Sequence, residues 1–352
     1  LSASRVHRAR LAAQLLSGPP ARTAEDVVRR LLAVQGQDAR GVRLAIRARS
    51  VDLTAADVDT ALTNGTLLIS WLNRGTLHLV TPEDYWWLHP LTTPQLKTGN
   101  VRRLAQEGVS PAQAERGADI VAAAVAEGPR TRTELRAALD AGGVPTGGQA
   151  VVHVLLAATL RGHVLRGPMR GKEQAFVAVR DWLGDPPELP DRAELLARLA
   201  RRYLAAHGPA DASDLARWAG ITLGDARRGL TALGGEVEPS GEGLVDLAER
   251  DEPPRLPSPK LLGAFDPLLL GWVSRETVIG EHHHLVTSNG MFRPVALVGG
   301  RAVATWGVSD GVLTVSALEP VRPAALKALR ADARDVLRFL GLPDRPAVIR
   351  SG

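Results

Sequence analysis

The chain has 352 residues, 45% of them hydrophobic and 23% charged, with a formal net charge of +5 and no cysteine. A chain of this size can bury a substantial core and is expected to form two or more domains. The lack of cysteine excludes disulfides and thiolate metal sites and fits a cytoplasmic protein, and no apolar run approaches the ~20 residues of a membrane span. The opening LSASRVHRAR carries charge without an apolar stretch, so no secretory leader is expected.

The basic charge is almost all arginine, the lysines being Lys97, Lys172, Lys260 and Lys327. The first fifty residues hold Arg5, Arg8, Arg10, Arg22, Arg29, Arg30, Arg40, Arg43, Arg47 and Arg49 against Glu25, Asp26 and Asp38, whereas the stretch from Glu236 to Glu252 is acidic. A basic opening segment is the footprint of a phosphate-binding face, with a solvated helix surface as the plainer alternative.

In chain order, three segments repeat one grammar of three helices followed by two short strands. The first predicts helices over Arg5–Leu16, Glu25–Val34 and Ala55–Asn64. A hairpin follows in LISWLNRGTLHLV, turning at Asn73-Arg74-Gly75, and then a helix opened by Thr81-Pro82. The second begins at Ser110-Pro111, runs through Ile120, Val121, Ala124 and Val125, and stops at Gly128-Pro129. Thr131 with Glu134 forms a capping box for a short helix that ends at Gly142-Gly143. A third helix, QAVVHVLLAATLRG, leads into the strands of HVLRGPMRGKEQAFVAV. The third segment, Glu194–Leu247, predicts helices in AELLARLARRYLAAHG, DASDLARWAG and TLGDARRGLTALGG, then a hairpin in EVEPSGEGLVDL. Helix-turn-helix plus β-hairpin is the order of a winged helix, which reads DNA in many proteins and docks proteins in others.

The proline-rich RDEPPRLPSPK, from Arg250 to Lys260, reads as a linker. Beyond it, VIGEHHHLVTSN and MFRPVALV are expected strands around Asn289-Gly290. Gly299-Gly300 and Asp310-Gly311 punctuate further strands, and an amphipathic helix over Ala324–Leu340 ends at Gly341. The expected fold is α+β: three tandem winged-helix units over 1–105, 106–190 and 191–250, then a C-terminal antiparallel β-domain over 251–352.

EHHH invites a metal reading, but successive strand residues alternate faces, so His282 and His284 would point away from His283. With no cysteine and no H-E-x-x-H, no metal centre is expected. Contact with a phosphate or base, or plain exposure, remains for these histidines. No phosphate-cradling G-x-x-x-x-G-K-[ST], no G-x-S-x-G and no nucleophile pair occurs, and no cofactor is expected. LLAVQGQDAR is the other unusual stretch. Thr23 caps its helix with Asp26 at the third position, Val27, Leu31 and Val34 form an apolar row, and Gly36 is the expected stop. Gln35 and Gln37 then offer neutral amide donors and acceptors that can hold one water molecule from two sides, or simply solvate the helix end.

LLAVQGQDARG, WLNRGTLHLVTPEDYWWL, FDPLLLGWVSRE and RPVALVGGRAVATWGV, in this order, resemble the AlkZ/YcaQ winged-helix DNA glycosylases along essentially the whole chain. The Q-x-Q form at Gln35–Gln37 is closer to the AlkZ branch than to the YcaQ branch, which carries Q-x-D. The resemblance implies tandem winged helices in a C-shaped, DNA-sized cleft with a β-rich C-terminal domain. It implies excision of N7-alkylguanine, extending to interstrand crosslinks and self-resistance to an alkylating natural product. The implied catalytic residues are Gln35 and Gln37. Arg5, Arg8, Arg74, His282, His284 and Arg293 are candidate DNA contacts, with the hairpin around His282–Arg293 probing a groove. The implied partner is double-stranded DNA carrying alkylated guanine, bound by a monomer with no membrane involved. A non-enzymatic winged-helix transcription regulator is the alternative; regulators usually bind spaced half-sites as dimers, whereas this chain already holds several units.

Overall fold

The computed structural model describes residues 3–171, 173–241 and 243–350. Lys172 and Glu242, both in expected hairpin turns, lie outside the described residues. The chain is α+β and divides into two compact units: Leu1–Val58 with Leu196–Trp218 and Thr222–Gly352, and Asp59–Leu195 with Ala219–Ile221.

In the second unit, Leu68–Leu72 and Thr76–Val80 form the expected hairpin, with Trp71 opposite Leu77 and Ser70 opposite His78. Its turn demands left-handed backbone at Arg74 (φ 52°) and Gly75 (φ 76°). The second expected hairpin, Val164–Arg170 with Glu173–Ala178, joins the first through Ile69 and Arg166. Two hairpins expected as separate wings therefore share one sheet, in the order Thr76–Val80, Leu68–Leu72, Val164–Arg170, Glu173–Ala178. Around it lie Pro82–Thr92, Pro111–Ala126, Arg132–Ala141 and Ala150–Leu160. Capping boxes at Ser110 and Thr131 satisfy the first amides of their helices, as the sequence predicts. The helices Leu96–Gln106 and Val179–Leu183 were not expected. Gly99 and Asn100 weaken the local signal of Leu96–Gln106, which is fixed instead by Asn100, whose Nδ2 donates to the His153 carbonyl and whose Oδ1 meets the His153 ring Nδ1, both at 3.1 Å.

The first unit opens with Ala3–Ala13, Ala24–Leu31 and Ala39–Arg47. It resumes with Arg192–His207, Ala212–Ala219, Leu223–Thr231 and the small hairpin Val237–Pro239/Val245–Leu247. A five-stranded sheet follows, ordered Val348–Arg350, Val312–Ala317, Arg301–Ser309, Val295–Val298, Lys260–Leu262. Helix Pro323–Phe339 buries Leu329, Ala333, Val336 and Leu337 along one side and lies against Lys260–Leu262. Four strands are antiparallel as expected, but the last, Val348–Arg350, runs parallel to Val312–Ala317 because the helix between them carries the chain back.

VIGEHHHLVTSN is not a strand: Glu276–Ile279 is a short helix and His283–Leu285 a single tight turn. The basic opening segment is also partly neutralised within its own unit. Arg5 pairs with Glu252, Arg10 with Asp214, Arg47 with Asp332 and Asp335, and Arg49 with Asp266. The compensating acids come from beyond residue 210, so local counting overstated the free positive charge. No described helix is long and apolar enough to cross a membrane.

Candidate active site

Thr23 Oγ1 accepts the Asp26 amide at 3.1 Å and opens helix Ala24–Leu31, whose Val27, Val28 and Leu31 are buried. The helix does not reach Val34, and Gly36 does not end it. It breaks at Leu32, a non-glycine residue with φ 67°. Leu32 is the centre of a strained γ-turn, the Ala33 amide donating to the Leu31 carbonyl at 2.8 Å, and complete burial of Leu32 holds it there. Because the break comes four residues earlier than expected, Gln35 sits on a two-residue strand, Val34–Gln35, rather than on a helix end.

The two amides lie at different depths. Gln35 is 7% exposed, whereas Gln37 is exposed. Asp38 then caps helix Ala39–Arg47, its Oδ1 accepting the Gly41 amide. This helix was not expected. Asp38 is occupied as a cap, and the cap itself is the signal that marks the helix start. Gly41 is required by close approach: a Cβ there would come 2.3 Å from the Ala264 carbonyl oxygen. The helix is fixed at its other end by Arg47, 3% exposed, which bonds Asp332 at 2.8 Å and the Leu261 carbonyl at 3.0 Å. The Gln35–Asp38 segment is thus held between two capped helices.

FDPLLLGW provides the support beneath. Asp266 is fully buried and receives the Arg49 guanidinium at 2.7 and 2.9 Å and the Leu268 amide at 2.9 Å. Tyr203 donates to the Gly271 carbonyl at 2.7 Å and Trp272 to the His207 carbonyl at 2.9 Å, tying this segment to helix Arg192–His207. Asp266 and Gly41 were not among the residues expected to matter. Asp-Pro at 266–267 was the available signal, since Asp commonly caps a turn before proline.

The remaining sites are dispersed. Arg5 is exposed but its guanidinium lies 2.6 Å from Glu252; Arg8 is half-buried, with a buried Nε that has no hydrogen-bond partner among the described residues. Arg74 is half-buried at the hairpin turn of the second unit, and all the other candidates belong to the first. His282 Nε2 lies 3.4 Å from Glu319, and its ring meets His284 edge to face at 5.9 Å. These two rings therefore adjoin because of the tight turn, not because of strand alternation. Arg293 and His284 are exposed. Among the described residues, no group of three or more His, Asp or Glu side chains is placed to hold a metal ion.

The DNA glycosylase AlkZ-like family model matches residues 28–339, a span that includes Gln35 and Gln37. The chain belongs to the AlkZ-like DNA glycosylase family. An interstrand DNA cross-link repair glycosylase of Streptomyces sahachiroi is 28% identical to it, over 97% of each chain. The solved structure of the Streptomyces sahachiroi DNA glycosylase AlkZ superposes with a TM-score of 0.82 at 26% identity, covering 100% of both chains. As a member of the AlkZ-like family, the protein is an enzyme, a DNA glycosylase.

Proposed function

We propose that the protein hydrolyses the N-glycosidic bond of N7-alkylguanine in duplex DNA, including guanines joined across strands, and that Gln35 and Gln37 orient the attacking water. The observation that carries this reading is the placement of two uncharged amides, one buried and one exposed, on a short segment clamped between capped helices. Alkylation at N7 puts a positive charge on the purine, so the base leaves without a general acid. The sugar becomes oxocarbenium-like and needs only a placed water and favourable dipoles nearby. Fixed amide oxygens supply both without any shifted pKa. Asp38 is engaged in capping, which favours the amides over a carboxylate base.

The enzyme acts monofunctionally, with water rather than an amine as nucleophile. Lys260 is the lysine of this unit whose pKa is lowered, mainly by burial, and its charged neighbours are Asp332, Arg47, Asp335 and Arg49. A base tied to the opposite strand cannot travel far, so the lesion is processed with little or no extrusion. Arg8, Arg74, Arg293, His282 and His284 are the proposed DNA contacts; Arg5 contributes less because Glu252 already neutralises it. The helix–helix–helix–hairpin orders within 106–190 and 191–250, and the hairpin that follows four helices within 1–105, support three winged-helix units, followed by the β-rich 251–352. The protein works as a monomer in the cytoplasm, where chromosomal DNA is accessible.

Incubation with duplex containing N7-methylguanine, followed by alkali, yields strand cleavage at the lesion, and a crosslinked duplex is unhooked. Borohydride present during the reaction traps no protein–DNA adduct. Absence of cleavage on both substrates contradicts the substrate assignment; a trapped adduct contradicts the water mechanism.

A further inference from the structure

Helix Pro323–Phe339 of the first unit has two contrasting faces. Its inner side buries Leu329, Ala333, Val336, Leu337 and Phe339, and both its acids reach inward to Arg47. Asp332 receives the Arg47 guanidinium at 2.8 Å and the Leu261 amide at 2.7 Å; Asp335 receives Arg47 at 3.2 Å. The outer side carries Lys327, Arg330, Arg334 and Arg338, all exposed. Positions three and four apart lie one above another on a helix, so these cations form a single row about 16 Å long.

Arg338 is held by Asp335 at 2.7 and 2.9 Å, whereas Lys327, Arg330 and Arg334 have no ion pair among the described residues. Asp344, beyond the helix, borders the same shallow hollow as Arg334 and Arg338 and pairs with neither. Ahead of the helix, Glu319 lies 3.4 Å from His282. Like charges at these spacings repel and destabilise a helix, and a solvent-facing helix commonly alternates the sign of its charges. No acid interrupts this row. The other exposed positions of the helix are Pro323, Ala324 and Ala331. That composition selects the partner. A protein interface buries an apolar core rich in aromatic side chains, and this face offers no large apolar group to it. Phosphates are met by cations alone.

We infer that the outer face of this helix is a second contact surface for duplex DNA, a phosphate track set apart from the Gln35–Gln37 segment. The separation follows from helix Ala39–Arg47. Pro323–Phe339 braces its last residue, Arg47, whereas Gln37 lies before its first. With nine residues that helix is about 13 Å long, and the row of cations points away from it. Phosphate contacts carry no information about sequence or damage. The track therefore holds undamaged duplex and keeps the enzyme on DNA between encounters with lesions. It goes beyond the proposed chemistry and does not depend on it.

The full chain has four lysines, and Lys327 alone belongs to the row. Acetylation of the full chain, read by mass spectrometry, should show Lys327 protected when an undamaged duplex is added. A triple variant, Lys327→Gln with Arg330→Gln and Arg334→Gln, should lower the salt slope of duplex binding by about three. The charge-keeping triple, Lys327→Arg with Arg330→Lys and Arg334→Lys, should retain the slope. Single-turnover excision of N7-methylguanine at saturating enzyme should stay at the wild-type rate in both. Unchanged Lys327 reactivity on adding duplex, or an unchanged slope in the glutamine variant, overturns the track in favour of an acidic protein partner or a solvated face. Slower excision at saturation overturns its separation from the lesion site. If wild type itself excises nothing, the glycosylase reading has failed instead, and protection and slope still decide the track.

Discussion

The guanidinium of Arg49 and the carboxylate of Asp266 meet fork to fork at 2.7 and 2.9 Å with no exposure of either side chain. The pair joins the end of the helix that follows Gln37 to the FDPLLLGW segment, and the Gln14 carbonyl and side-chain oxygens satisfy further guanidinium donors at 2.8 and 3.1 Å. Removing one partner strands a buried charge. Arg49→Met or Asp266→Leu is therefore expected to cost about 3–5 kcal/mol of folding stability. The double variant should lose less than the sum of the singles. Urea denaturation of the four proteins checks this; simple additivity contradicts the coupling.

Gly41 governs how closely the catalytic helix approaches the same segment. Its Cβ would sit 2.3 Å from a backbone oxygen that cannot swing away as a side chain tip would. Gly41→Ala should lower stability by about 1–3 kcal/mol. It should also slow excision while leaving affinity for undamaged duplex nearly intact, since the displaced residues adjoin Gln37. Thermal denaturation together with single-turnover rates measures both. An unaltered rate contradicts the role given to this contact.

His78 gives the second unit a sensitivity to acid. Burial is the main cause, and the Arg74 charge adds to it; together they push its pKa down to about 3, against an opposing hydrogen bond to the Thr76 carbonyl. In the unfolded chain the imidazole titrates near its ordinary value of about 6.5. Between these values the unfolded state binds more protons. The contribution is therefore fully present above the ordinary value and is lost as pH falls toward the folded one, with a limiting slope of about 1.4 kcal/mol per pH unit. His78→Asn should flatten the decline in stability between about pH 6 and about pH 4. Parallel curves for variant and wild type contradict this.

Much of the helical layout was legible because its punctuation is local. Ser110, Thr131, Thr81, Thr222 and Thr23 cap the helices they precede, and Asn73-Arg74-Gly75 turns its hairpin. Two helices escaped notice for opposite reasons. Ala39–Arg47 begins at a local cap, Asp38, that was passed over, and Leu96–Gln106 depends on His153, fifty-three residues away. The merger of two hairpins into one sheet through Ile69 and Arg166 is a long-range pairing that neither hairpin specifies alone. The residues Gln35 and Gln37 were legible as a pattern, but their geometry was not. Leu32 breaks the helix in a conformation its side chain disfavours, and only tertiary burial explains it. That Arg10, Arg47 and Arg49 are engaged within the fold was not legible, because Asp214, Asp266, Asp332 and Asp335 lie far away in sequence.

The most direct test of the water-orienting role is single-turnover excision of N7-methylguanine from duplex DNA by wild type, Gln35→Ala and Gln37→Ala, with urea midpoints and DNA affinity measured alongside. The account predicts that each variant loses about a hundredfold or more in rate, roughly 2.7 kcal/mol of transition-state stabilisation. Gln37→Ala should keep wild-type stability because its side chain is exposed. Excision at the wild-type rate by a folded, DNA-binding form of either variant would contradict it.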